Sequence, residues 1–409
     1  MSNRLILGED QYYSLDCYET GVNNNVLVVG ASGAGKTRGL VIPNILEASG
    51  SYVISDPKGN LHRKYGPYLK ERGYDVCRLD FTDPEDSVHY NFFRYIRKTQ
   101  DINKMAHMIA NNDKVGSVQD PFWDRAAELL LGALIAYVQE TCDKREQNLS
   151  SILRLCELIT VDEDNSLANS SMDILMDDLE TINPNSYAVK QYKKFRVAAD
   201  KTLRSILITL NSRIGIYDSP EIQKLTAYDS VDIGSLGKRK RAVFVVVSDT
   251  DRSLDGLVNL FFTQAMNELC YTADKMCVNN VLPVPVRFIM DDFATNCKIE
   301  DFPRMIASIR SRGISAMLMI QSEAQLVEGY GNDYRTIIGN CDSYVYLGGN
   351  DVETAEAVAR RCDLPLKKIL NMPVGTNWIF RRGQSPVNGR TIRTEKQRIG
   401  SAALAEERI

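Results

Sequence analysis

The segment Gly30-Ala31-Ser32-Gly33-Ala34-Gly35-Lys36-Thr37 fits G-x-x-x-x-G-K-[ST], the phosphate-binding P-loop. Ahead of it, Asn25-Val26-Leu27-Val28-Val29 reads as a buried strand, and behind it Arg38-Gly39-Leu40-Val41-Ile42 reads as the opening of a helix. The motif needs that context. Its glycines let backbone N–H groups turn inward around a phosphate chain, and the helix N-terminus adds its positive end. In this arrangement Lys36 reaches the β- and γ-phosphates and the Thr37 hydroxyl ligates Mg²⁺. A dinucleotide site is disfavoured, because the glycines run G-x-x-G-x-G followed by lysine and not G-x-G-x-x-G. The ligand implied is a nucleoside triphosphate.

The totals bound the rest. A chain of 409 residues supports two or three structural units with a sizeable core. Its 44% hydrophobic and 25% charged content is ordinary for a soluble globular protein. The longest apolar run, residues 129–138, is too short to span a bilayer, and no signal peptide opens the chain. Any membrane segment is therefore expected outside it. The net charge of −4 does not announce a nucleic-acid binder, although binding depends on where charge is placed. Basic clusters occur at Lys193-Lys194 with Arg196, Lys238-Arg239-Lys240-Arg241, Arg310 with Arg312, and Arg381-Arg382; singly, each reads as a solvated face. Nine cysteines without a C-x-x-C pair, and three isolated histidines (His62, His89, His107), exclude the usual zinc signatures and point to a reducing compartment. Cys156, Cys270 and Cys341 sit in apolar surroundings and read as core.

Periodicity changes twice along the chain. Strands over 26–30, 52–55 and 75–79 alternate with helices over 37–49 and 61–71, the rhythm of a parallel sheet covered by helices. From 101 to 217 the segments 101–111, 122–140, 150–160, 171–181 and 186–214 all read as helices, punctuated by Pro121 and by Asn183-Pro184. Strands resume at 242–248, 286–290, 316–320, 343–347 and 377–380, with helices over 253–275, 299–311 and 351–361. The expected organisation is an α/β nucleotide-binding domain in two parts, residues 1–98 and 223–409, interrupted by an all-α domain over 99–222.

A P-loop ATPase also needs a carboxylate at the tip of the neighbouring strand to hold the metal's water shell, and usually another to orient the attacking water. Two strands end suitably: 243–248 runs into Asp249-Thr250-Asp251, and 288–290 into Asp291-Asp292, which offers two adjacent carboxylates directly at the strand end. Asp56-Pro57-Lys58-Gly59 closes the second strand, as a plain turn or as a loop beside the phosphates at the carboxyl edge of the sheet. Arg310, late in the helix after Asp292, is suited to reach across a subunit boundary to a neighbour's γ-phosphate. Gln321 ends the strand 316–320, where its amide could sense the γ-phosphate.

Taken together, these motifs resemble one family, the coupling ATPases of bacterial type IV secretion and conjugation. The resembling segments are Val28-Val29-Gly30 through Thr37, Ile54-Ser55-Asp56-Pro57-Lys58-Gly59, Asp120-Pro121-Phe122-Trp123, Lys201-Thr202-Leu203-Arg204-Ser205-Ile206, residues 287–293, 309–313, and Met319-Ile320-Gln321-Ser322. They cover residues 25 to 383 in the family's order. The resemblance implies a RecA-like P-loop NTPase domain with a central, mostly parallel sheet and an inserted all-α domain. It places Asp291 on the Walker B aspartate, Asp292 where glutamate is usual, Arg310 on the arginine finger and Gln321 on the glutamine of the next motif. Asp292 is one methylene short, which would hold the lytic water less well: either hydrolysis is slow or the base is reached differently.

The same resemblance implies ATP and Mg²⁺ as cofactors. Gly30, Ala31, Ser32, Gly33, Ala34, Gly35, Lys36, Thr37 and Asp56 would surround the nucleotide, with Thr37 and (through water) Asp291 at the metal. It further implies a homo-oligomeric ring, a hexamer, acting on single-stranded DNA, either bare or with an attached relaxase. Secretion-channel components would receive the DNA at the cytoplasmic face of the plasma membrane. Family members usually carry N-terminal transmembrane helices, which this chain does not. Two other readings keep the P-loop: a soluble FtsK-type DNA pump, and a low-turnover ATP-binding receptor for secreted proteins, which Asp292 would suit.

Overall fold

The alternating apolar runs form one large sheet. In the computed structural model, which describes residues 3–110, 121–160, 170–198, 200–248, 250–295 and 297–392, eleven strands occur. They are β1 (Arg4–Gly8), β2 (Gln11–Ser14), β3 (Val26–Val29), β4 (Ser51–Ser55), β5 (Asp75–Asp80), β6 (Arg241–Val246), β7 (Val286–Met290), β8 (Ile314–Ile320), β9 (Ser343–Tyr346), β10 (Thr376–Arg381) and β11 (Val387–Arg390). β1 and β2 pair as a hairpin, and the other nine form a sheet in the order β11-β10-β9-β3-β8-β7-β4-β6-β5. All neighbours from β9 to β5 are parallel, while β10 and β11 run antiparallel at one edge. β3, β4, β6 and β7 are buried at every position, which is why their sequences (VLVV, SYVIS, RAVFVV, VRFIM) are mostly apolar without a strict alternation. On one face of the sheet, Leu5, Leu7, Val28, Leu40, Ile54, Phe244, Ile289, Met317 and Val345 build a shared core.

One expectation about the sheet is corrected. The carboxylate-bearing strand β7 is not the neighbour of the P-loop strand β3, because β8 lies between them. β8 is apolar and almost wholly buried, and it pairs in parallel register with both flanks (Val26↔Met317, Met290↔Leu318), so it fills the gap. The tips of β3, β8 and β7 therefore end side by side.

Local departures have local causes. The helix after the P-loop opens as a π-turn, Thr37–Val41, continues as Ile42–Leu46 and stops short of 49. Pro43 has no N–H for the carbonyl four residues back and its ring crowds that carbonyl, so the chain widens there and the Ile42 N–H bonds the Thr37 carbonyl instead. Asn44, fully buried, ties this helix to β1 by bonds to both the Ile6 N–H (3.1 Å) and the Ile6 carbonyl (2.8 Å). The expected helix 186–214 is two helices, Tyr187–Arg196 and Asp200–Ile214. Their buried residues Tyr192, Phe195, Leu203, Ile206 and Leu210 stay in helical phase, which hides the break from periodicity.

The chain divides into two compact units. One is Met1–Asp80, Asp232–Asp249 and Ala265–Ile409, which carries the sheet; the other is Phe81–Val231 with Thr250–Gln264. Among the described residues the second unit is helical without a strand, with Pro121–Thr141 packed against Thr99–Ala110, Tyr187–Arg196 and Asp200–Ile214. The Asp124–Arg213 pair (3.2 Å) is buried within it. No described helix is long and apolar enough to cross a membrane. No disulfide joins the nine cysteines; Cys156 and Cys341 are buried as expected, whereas Cys270 is only half-buried.

Candidate functional site

The P-loop is pinned from both sides before it turns. The Gly30 N–H donates to the Ile320 carbonyl on β8 (3.1 Å), and the Ala31 N–H donates to the Gly348 carbonyl beyond β9 (3.0 Å). A Cβ on Gly30 would stand 2.8 Å from that of Leu347, so the close approach requires glycine. Gly35 has φ +92°, in the left-handed region, which turns the loop into the helix at a conformation side chains strain to adopt. Lys36, buried at 8% exposure, folds its ammonium back onto the loop, donating to the Gly30 carbonyl at 2.7 Å and the Ala31 carbonyl at 3.3 Å. Burial lowers its pKa, opposed by the charges of Asp292 and Asp291.

Of the two candidate strand ends, that of β7 meets the loop. The Thr37 hydroxyl donates to Asp291 Oδ2 at 2.6 Å. Asp291 is 7% exposed, and burial raises its pKa against the Thr37 bond; the Asp292 charge raises it further, and Lys36 opposes. Its carbonyl is held from β4 by the Ser55 hydroxyl (3.2 Å). Asp292, half-buried, adopts φ +51°, a left-handed conformation rare for a non-glycine residue and concentrated at functional turns. The turn is fastened by Phe293 N–H to the Met319 carbonyl (2.8 Å) and Thr295 N–H to the Asp292 carbonyl (3.2 Å). At the other candidate strand end, Asp249 lies outside the described residues, as does Asp120 of the Asp120–Trp123 segment, while the exposed Asp251 accepts from the Ser253 N–H (2.9 Å).

The remaining candidates fall in different places. Gln321 sits exposed at the tip of β8, between the tips of β3 and β7, with its backbone N–H donated to Gln325 Oε1 (2.7 Å). Asp56 is 1% exposed and spends both carboxylate oxygens on the start of the helix Asn60–Glu71, accepting from Leu61 N–H (3.0 Å) and His62 N–H (2.8 Å). Asp56→Asn replaces one acceptor by a donor facing a donor, so it should lower stability by about 1–2 kcal/mol. Thermal unfolding reads this as a lower Tm with nucleotide affinity unmoved. Arg310 lies in the turn Ile309–Arg312 that feeds the start of β8, the sheet edge opposite the P-loop, where its Nη2 donates to the Cys17 carbonyl (2.8 Å). Arg312 is occupied by Asp274 in a two-bond pair, 2.8 Å each.

Ser55, within the quoted segment Ile54–Gly59 but given no role there, also shapes the site, as do Gly348, Thr295 and Gln325, which carry no sequence signature; only the four-residue spacing of Gln321 and Gln325 hints at one helical turn between them. The donor set suits one kind of ion. A hydroxyl and one carboxylate meet beside the glycine-rich loop, and among the described residues no cluster of three or more His, Cys, Asp or Glu could hold a metal by itself. Mg²⁺ fits that set, since it keeps several waters and takes one or two protein oxygens together with phosphate oxygens.

Known proteins share the family and the fold of this chain. Residues 5–363 match the family described as Type IV secretory system Conjugative DNA transfer. The conjugal transfer protein TraG of Escherichia coli is 25% identical over 360 residues, 82% of this chain and 54% of TraG. Protein VirD4 of Agrobacterium fabrum is 22% identical over 350 residues, 83% of this chain and 49% of VirD4. The chain thus spans about half the length of the curated relatives it matches. Among solved structures, the bacterial conjugative coupling protein TrwBdeltaN70 aligns with a TM-score of 0.67 at 18% identity, covering 90% of this chain and 85% of that one. TrwB has been solved with the ATP analogue ADPNP and with ADP and Mg²⁺. At that identity the likeness is one of fold: a mostly parallel sheet joined to helical structure.

Proposed function

Because the chain belongs to the Type IV secretory system Conjugative DNA transfer family, we propose that it is a Mg²⁺-dependent ATPase, the motor portion of a coupling protein. It assembles as a hexameric ring at the cytoplasmic face of the membrane, anchored through segments outside this chain. It passes DNA, or a DNA–protein conjugate, to a secretion channel. Residues 1–98 and 223–409 form the nucleotide-binding domain, and the all-α domain over 99–222 helps receive the substrate.

The observation that carries this reading is the 2.6 Å contact between Thr37 and Asp291, beside the buried Lys36. Lys36 exchanges its two loop carbonyls for the β- and γ-phosphates, and Gly30 to Thr37 wrap the phosphate chain, with the Gly30 and Ala31 N–H groups kept on Ile320 and Gly348 and the later amides of the loop turned to the phosphates; Thr37 and Asp291 hold the metal. Mg²⁺ bound with ATP draws charge off the β- and γ-phosphate oxygens. Asp292 orients the attacking water, Gln321 senses the γ-phosphate from the tip of β8, and Arg310 serves the neighbouring subunit's site. ATP turnover measured with and without single-stranded DNA tests the reading: a translocating motor hydrolyses several-fold faster when DNA is present. A flat, slow rate with tight ATP binding would favour the receptor reading, which the short side chain of Asp292 supports.

A further inference from the structure

The helix Glu323–Tyr330 that follows Gln321 grips the segment carrying Asp292 at two points. Near its start, the Gln325 carboxamide bridges two loops: Oε1 accepts the Gln321 N–H (2.7 Å), and Nε2 donates to the Thr295 hydroxyl (3.0 Å). The orientation of that amide is fixed, because a backbone N–H can only donate and so must face the oxygen. Thr295 in turn donates its own N–H to the Asp292 carbonyl (3.2 Å). At the far end of the helix, Tyr330 stacks on Phe293 (ring centroids 5.7 Å apart, 18° between planes), and its hydroxyl accepts the Ile299 N–H (3.1 Å). Tyr330 and Phe293 clamp the segment by packing, the Phe293 N–H joins it to the Met319 carbonyl inside β8 (2.8 Å), and Gln325 adds a side-chain tie from Thr295 to the tip of β8 at Gln321. Gln321 and Asp292 stand on the tips of adjacent strands, yet the residues beyond those tips belong to different loops.

We propose that Gln325 is a positioning residue for hydrolysis: through Thr295 on one side and the Gln321 backbone on the other, it fixes the spacing between the γ-phosphate sensor and the carboxylate that orients water. The left-handed turn at Asp292 is strained and would relax without a fastening, and a small displacement of a water-orienting group costs rate far more than affinity. This inference rests on the hydrolytic reading above.

The test uses the full chain. Gln325→Ala and Thr295→Val each lower kcat about tenfold while KM for ATP stays within about twofold, and Thr295→Ser, which keeps the hydroxyl, stays near wild type. The double variant Gln325→Ala/Thr295→Val is no slower than the slower single one, since both cut the same tether. In nucleotide-free protein, Gln325→Ala speeds amide hydrogen exchange at 292–295 and at Gln321. Unchanged kcat, a loss confined to KM, or multiplied losses in the double variant would overturn the proposal. If wild type turns over ATP no faster than Lys36→Ala, the hydrolytic reading has failed instead. The exchange measurement then decides by itself, and unaltered exchange at those amides overturns the tether.

Discussion

Lys36→Ala is expected to reduce ATP turnover by about 10²–10³-fold, the usual loss when one pre-placed charge-stabilising donor is removed, without weakening the fold. The ammonium is buried and faces two carbonyls of its own loop. Burial lowers its pKa, so the folded chain disfavours the charged form relative to the unfolded one. A lysine depressed in this way adds stability only above its unfolded pKa and withdraws it as pH falls, so at neutral pH the charge is a net cost to the nucleotide-free protein. Alanine removes that cost, and it suits the right-handed backbone there (φ −49°, ψ −59°). Melting without nucleotide should therefore stay level or rise. Wild type should gain about 2.7 kcal/mol from an ATP analogue at 100 times its Kd, and the variant should lose most of that gain. Wild-type turnover in Lys36→Ala would remove the P-loop from the mechanism.

How much of this was legible depended on whether a feature is fixed by local chemistry or by distant pairing. The run Gly30–Thr37 announces itself because a phosphate chain needs glycine φ values, a lysine and a hydroxyl at set positions, and Gly35 at +92° bears out the first of these. The buried parallel strands were legible as short, mostly apolar runs. Strand order was not: nothing in Ile314–Ile320 says that it inserts between β3 and β7, since adjacency comes from non-local hydrogen bonding. The hairpin β1–β2 and the edge strand β11 escaped for the same reason, being short segments whose pairing makes them strands. Within the site, Asp291-Asp292 could be nominated from the sequence, but only the fold brings Asp291 to Thr37. Asp56 was ambiguous because a turn and a ligand loop use the same residues; its carboxylate caps a helix. Gln325 and Thr295 are ordinary polar residues until their partners converge.

Arg310→Ala should leave the isolated chain folded and its ATP affinity unchanged, and should cut hydrolysis in the assembled protein by about 10³-fold or more, the scale of a lost arginine finger. The reasoning is positional. Arg310 is exposed and sits where β8 begins, while Lys36 lies at the edge where the parallel strands end, so one chain cannot bring them together. A ring built from head-to-tail contacts can, because each interface joins different surfaces of two identical subunits. Its hydrogen bond to the Cys17 carbonyl is a minor, exposed holding contact that alanine gives up cheaply. Mixing provides the decisive measurement. Lys36→Ala keeps an intact finger and a dead loop, whereas Arg310→Ala keeps an intact loop and no finger. Each is inactive alone, yet in randomly mixed rings an Arg310→Ala loop meets a Lys36→Ala finger at about a quarter of interfaces. Turnover should recover toward that fraction in a 1:1 mixture and vanish at either extreme of the ratio. A finger acting within its own chain gives no recovery at any ratio, because every subunit in the mixture then carries one broken half of its own site.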